Sequence, residues 1–135
     1  MSQFVLFDMS VLVDELRTNR NLDRVSTTDG PIRNSSVVLA ELWRGVSLPV
    51  DRKAVEELEK NHPTFTPPAN NWVESGQILA KMRADLGFEP RKLRDLHFDV
   101  LIALTARTHG ARLITSNRAD FELICEYLEF QLEVW

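Results

Sequence analysis

Short apolar runs alternate along the chain with segments whose apolar residues recur at helical spacing. Residues 3–7, dominated by Phe4-Val5-Leu6-Phe7, read as a short, fully buried strand. A helix follows from about Ser10 to Arg17, with Val11, Leu12 and Leu16 on its apolar side. The stretch from Thr18 to Pro31 is polar, turn-rich and sparse in helix, with room for one short helix. Ile32 to Asn34 reads as a second strand. Ser35 or Ser36 then suits the N-cap of a helix running to about Arg44. Asp51 to Lys60 is a charged helix, and Pro63 to Pro68 an extended connector. The clearest amphipathic helix runs from Asn71 to Leu86, with Trp72, Gly76, Leu79, Met82 and Leu86 as its expected apolar face and Gly87 as its stop. After Pro90, Asp95 is the expected N-cap of a helix ending near His109, where Gly110 closes it. Arg112 to Thr115 is a strand, Ala119 to Leu128 a helix and Phe130 to Val134 a last strand. Alternation of this kind predicts an α/β domain, residues 1–135, with a mostly parallel sheet flanked by helices.

Composition changes this picture little. A 135-residue chain that is 44% hydrophobic and 27% charged is an ordinary globular sequence, long enough for a real core. No segment approaches the roughly 18 apolar residues needed to span a membrane. Asp8 interrupts the first apolar run and no basic segment precedes it, which argues against a signal peptide. The single Cys125 excludes an intrachain disulfide and a cysteine-based zinc cage. In Phe121-Glu122-Leu123-Ile124-Cys125 it reads as a buried helix position, and a reducing, cytoplasmic location is expected. The formal charge of −4 argues against binding nucleic acid by net charge alone.

Four acidic residues account for all of that charge, and each sits beside an apolar segment. Asp8 follows the first strand. Glu41 lies about a turn and a half into the helix after the second strand. Asp99 precedes Val100-Leu101-Ile102-Ala103-Leu104, and Asp120 follows the strand ending at Thr115. Each has a local explanation: Asp8 and Asp120 suit helix caps, Asp99 a helix N-terminus, and Glu41 a solvated helix face. Ligand sites in parallel sheets, however, lie outside the carboxyl ends of the strands, where these residues fall. Carboxylates near a core are costly unless paired, hydrogen-bonded or bound to a cation. Oxygen donors of this kind suit Mg²⁺ or Mn²⁺ rather than a Cys/His zinc site.

At these residues the chain resembles the PIN domain family, and within it the VapC-type toxin ribonucleases. Phe4 to Val13 is similar to the family's opening strand and Asp motif, although Met9 stands where a small hydroxyl residue is usual. Ser35 to Leu42 looks like the second motif, Phe98 to Ala106 the third, and Leu113 to Phe121 the fourth. The resemblance implies a PIN-like three-layer fold and a Mg²⁺- or Mn²⁺-dependent endoribonuclease with a VapB-like antitoxin as partner. Carried onto this chain, it implies that Asp8 and Asp99 hold the principal metal. Glu41 would hold the ion directly or through water, or orient the attacking water. Asn117 and Asp120 would complete the site or hold a second, weaker ion, with Ser10 and Thr115 as hydroxyl support.

Arg44, Arg91, Lys92, Arg94 and Arg118 are candidate contacts to RNA phosphates, with ordinary surface charge as the alternative. His62, His97 and His109 share no spacing, and His97 is expected to face away from Asp99. Trp43, Trp72 and Trp135 read as core or interface residues. The apolar surface offered by the Trp72 helix and by Phe130 to Trp135 predicts a homodimer. A phosphatase of the haloacid dehalogenase kind needs a second Asp two residues after the first, where Ser10 stands. A response-regulator receiver needs a Lys after a late strand, and Ser116-Asn117-Arg118 offers none. A non-catalytic PIN-like module that binds RNA or protein is the remaining alternative.

Overall fold

The computed structural model describes residues 3–18, 24–25 and 27–135. Among the described residues, five strands form one sheet: β1 (Val5–Phe7), β2 (Ile32–Ser35), β3 (Thr64–Phe65), β4 (Arg112–Thr115) and β5 (Gln131–Val134). Among the described residues the helices that accompany them include α1 (Met9–Thr18), α2 (Ser36–Arg44), α3 (Pro49–Asn61), α4 (Ala69–Leu86), α5 (Pro90–His109) and α6 (Arg118–Cys125). The strand order is β3-β2-β1-β4-β5, and every neighbouring pair is parallel. The chain builds outward from β1 through β2 to β3, then returns to lay β4 on the other side of β1. This reversal makes the crevice beyond β1 and β4 the topological switch point, the usual ligand position in such sheets.

The expected parallel α/β architecture is therefore present, and the differences are local. Thr64-Phe65, expected within an extended connector, pairs with Asn34-Ser35 as an edge strand. Asp95 is not an N-cap. The helix begins at Pro90, whose missing N–H and fixed φ suit a first helical position, with Glu89 as N-cap. The last helix ends at Cys125, and Cys125 is exposed rather than buried. The buried stripe of α4 is Asn71, Ser75, Ile78 and Met82, whereas Trp72 and Leu86 stand 49% and 45% exposed. Polar residues occupy that stripe because the neighbouring helix supplies partners. Asn71 Nδ2 donates to Thr108 Oγ1 at 3.0 Å, and Ser75 Oγ lies 3.1 Å from His97 Nε2. His97 thus packs between α4 and α5, away from Asp99 as expected. The segment from Thr18 to Pro31 falls partly outside the described residues.

Helix α5 is the centre of the core, with Val100 to Ala106 all buried. At the other end of the sheet, buried Asn34 ties β2 to the end of α3. Its Nδ2 donates to the carbonyls of Leu58 at 2.7 Å and His62 at 2.9 Å, at the helix end where the last carbonyls run short of intrahelical donors. Asn34→Ala removes the Nδ2 donor from the His62 carbonyl and one of two donors from the Leu58 carbonyl, which also accepts the His62 N–H, and is expected to cost about 1–3 kcal/mol, read as a lower urea midpoint with an unchanged m-value.

Candidate active site

One side of the site comes from the carboxyl ends of β1 and β4, joined through one carboxylate. Asp8 follows β1 and is 4% exposed. Its backbone N–H donates to the Ile114 carbonyl at 2.9 Å, and its own carbonyl accepts the first bonds of α1, from Val11 and Leu12. The side chain is thereby free to serve the site. Ser10 Oγ and Thr115 Oγ1 both donate to Asp8 Oδ2, at 2.8 and 2.9 Å, leaving Oδ1 outside these two bonds. The backbone N–H groups of Ser116 and Asn117 donate in turn to those hydroxyls, at 3.0 and 2.9 Å. From the far side, the Trp135 N–H donates to the Thr115 carbonyl at 2.8 Å, and its ring packs edge-on to Phe7.

Glu41 and Asp99 reach the same crevice from α2 and α5. Ser35 caps α2 by accepting from the Val38 N–H, and the buried face of α2 is Val37, Val38, Leu39 and Leu42. Glu41 lies beside that face, and its Oε1 is buried with no hydrogen-bond partner among the described residues. Burial, reinforced by the Asp8 charge and opposed by Arg44, pushes its pKa up to about 7. Burial pushes Asp99 further, to about 8, with Asp8, Glu41 and Asp120 adding repulsion and Lys92 opposing it. Four carboxylates therefore share one electrostatic neighbourhood. Among the described residues no group of three or more His, Cys, Asp or Glu forms a ready-made metal cage. Mutual repulsion opposes closer approach of these acids. An orphaned buried oxygen among hard oxygen donors nevertheless fits a divalent cation such as Mg²⁺ or Mn²⁺ at Asp8, Glu41 and Asp99.

Asp120 differs from the other three. It sits in the first turn of α6, where Asn117 is the N-cap. Asn117 Nδ2 donates to its Oδ2 at 3.2 Å, and Lys92 Nζ lies 3.2 Å from its Oδ1. Asn117 is thus turned toward Asp120, and both oxygens of Asp120 have partners within the chain.

The sequence matches the PIN domain family over residues 5–126. The chain belongs to that family. No curated protein sequence matches it. Solved structures share its fold across nearly the whole chain. VapBC2 from Rickettsia felis, bound to a DNA fragment from its promoter, is 21% identical with a TM-score of 0.72, covering 98% of this chain and 99% of that one. DNA-bound VapBC from Salmonella typhimurium is 23% identical with a TM-score of 0.70, covering 100% and 99%. VapBC-1 from nontypeable Haemophilus influenzae is 20% identical with a TM-score of 0.70, covering 98% of each chain.

The basic candidates of this PIN domain separate on inspection. Arg44 acts on Glu41 and places its guanidinium 5.5 Å from the Phe98 ring centroid, at the rim between α2 and α5. Lys92 joins the carboxylates themselves. Arg118 is held by Glu122 at 3.0 Å, while Arg91 and Arg94 are exposed on the first turns of α5. Lys92 is the residue whose place the sequence reading missed. The available signal was its spacing of seven from Asp99, two helical turns on one stripe of α5. Arg24 was also overlooked; its guanidinium lies 4.2 Å over the Trp135 ring.

The raised carboxyl pKa values predict how the metal-free chain responds to pH. An unfolded carboxyl releases its proton near pH 4, whereas folded Glu41 and Asp99 keep theirs until about 7 and 8. In between, the folded state binds more protons than the unfolded state, so stability falls as pH rises through that window. Thermal unfolding in EDTA from roughly pH 4.5 to 8.5 is expected to show a declining Tm, with Asp99→Asn flattening the slope. A wild-type Tm that rises across the window would contradict the electrostatic assignment.

Proposed function

We propose that this PIN domain is a divalent-cation-dependent endoribonuclease, the VapC-type toxin of a toxin–antitoxin pair. The observation that carries the reading is the buried, unpartnered Glu41 Oε1 in one crevice with Asp8 and Asp99, where burial and neighbouring charge raise the pKa values of Glu41 and Asp99. A protein gains nothing from such an arrangement unless a positive group enters it. Asp8, Glu41 and Asp99 would hold a Mg²⁺ or Mn²⁺ ion, which would supply charge neutralisation at the phosphoryl oxygens and a more acidic water for in-line displacement. The chain's own residues provide the rest. Ser10 and Thr115 hold the Asp8 carboxylate in one orientation. Glu41, whose buried Oε1 has no partner among the described residues, would hold the ion directly or through water, or orient the attacking water. Arg44 and the exposed cations of α5 line the approach for RNA phosphates.

Purified full-length protein is expected to cleave single-stranded or loop RNA with Mg²⁺ or Mn²⁺ and to lose that activity in EDTA. Asp8→Asn or Asp99→Asn should lower the rate by at least roughly a hundredfold with the fold intact, and Ser10→Ala by about 10- to 100-fold. Wild-type rates for Asp8→Asn across a Mg²⁺ titration would refute the assignment. The same assay separates a nuclease from a PIN-like module that only binds.

The partner expected for such a toxin is a VapB-like antitoxin. A groove of about 360 Å³ supports this reading; Met9, Val13, Leu42, Val46 and Val55 line it, and Glu41 stands in its wall. An apolar antitoxin segment fits the groove, and an Arg from it would meet the carboxylates as a bidentate substitute for the cation's charge. The exposed Trp72 and Val73 of α4 support a homodimer. Sedimentation at micromolar concentration is expected to show self-association, and a clean 15.5 kDa monomer at all concentrations would exclude it.

A further inference from the structure

We propose that Lys92 is a resident cation of the carboxylate cluster, holding beside Asp120 the place that a second divalent ion would need. The site then takes one ion, at Asp8, Glu41 and Asp99. This inference rests on the reading of the cluster as a divalent-cation site. The two sides of the crevice are compensated differently. Asp120 has Lys92 Nζ at 3.2 Å from Oδ1 and Asn117 Nδ2 at 3.2 Å from Oδ2, so both oxygens are engaged. Glu41 retains a buried oxygen with no partner among the described residues. A cation thus touches the acid on one side, whereas on the other Arg44 opposes the Glu41 charge and leaves its buried Oε1 without a partner among the described residues.

The position of Lys92 is also costly where it stands. It occupies the first turn of α5, which holds no acidic residue, and a positive charge there opposes the helix dipole. The Phe88 ring, 6.0 Å from the ammonium, and Asp120 flank it, and seven residues along the same stripe lies Asp99. An ammonium is a compact point charge on a flexible stem, able to reach from the helix start toward the acids. In two-metal sites the ions stand about 3.5–4 Å apart. A fixed positive charge against Asp120 raises the cost of bringing a second ion there.

Calorimetric titration of Mn²⁺ into the full chain tests this in wild type, Lys92→Gln, Lys92→Ala, Lys92→Arg and Asp99→Asn, each checked for folding by circular dichroism. Wild type and Lys92→Arg are expected to bind one Mn²⁺ per chain. Lys92→Gln and Lys92→Ala should gain a second event at Mn²⁺ concentrations at least about tenfold below any second event in wild type. Asp99→Asn should lose the first event. Wild-type stoichiometry in both charge-removing variants, with binding lost in Asp99→Asn, would overturn the role of Lys92 and leave the cation site standing. Two ions of similar affinity in wild type would overturn it equally. An absence of binding in every protein, wild type included, would remove the cation site and this inference together.

Discussion

Asp8 places a carboxylate, almost fully buried, between the ends of two parallel strands, and an anion in that position persists only where donors are built around it. The donors are the Ser10 and Thr115 hydroxyls, each fixed by a backbone N–H of the turn after β4. One carboxylate therefore joins β1, the start of α1 and the β4–α6 turn. The Trp135 N–H extends the same tie to the end of the chain through the Thr115 carbonyl. The conformation of the crevice follows from satisfying this one charge.

The other three acids are arranged around Asp8 with unequal compensation. Asp120 receives a lysine and an amide. Glu41 and Asp99 receive mainly burial, which raises both pKa values and leaves a Glu41 oxygen without a partner. Such an asymmetry is unfavourable for the chain by itself, because unmatched carboxylates in a low-dielectric crevice oppose folding as they ionise. A site that would be stabilised by an incoming positive group is a site organised for function, and the cost is carried by the large apolar core around α5.

Much of the fold was legible because its signals are local. Apolar runs of strand length, serine and proline at helix starts, and glycines after helix ends require only neighbours in sequence to be read. Where the reading failed, a distant partner had overruled a local rule. Asn71 and Ser75 occupy the buried stripe of α4, since Thr108 and His97 on α5 satisfy them. Trp72 is displaced toward solvent by the same rotation of the helix. Thr64-Phe65 becomes a strand because β2 offers an open edge, and Cys125 is exposed because α6 ends there.

The sequence by itself determined the parallel α/β class, the order of the four acidic motifs and the oxygen-only character of the candidate site. These depend on residue types and on spacing along the chain. Tertiary structure alone decided how charge is shared among the acids. Strand order placed β4 beside β1, so that Thr115 meets Asp8 across more than a hundred residues of chain. Helix packing buried a Glu41 oxygen and brought Lys92 to Asp120. Desolvation and Coulomb interaction depend on separation and exposure in space, and no pattern of residues along a chain specifies either until the chain is folded.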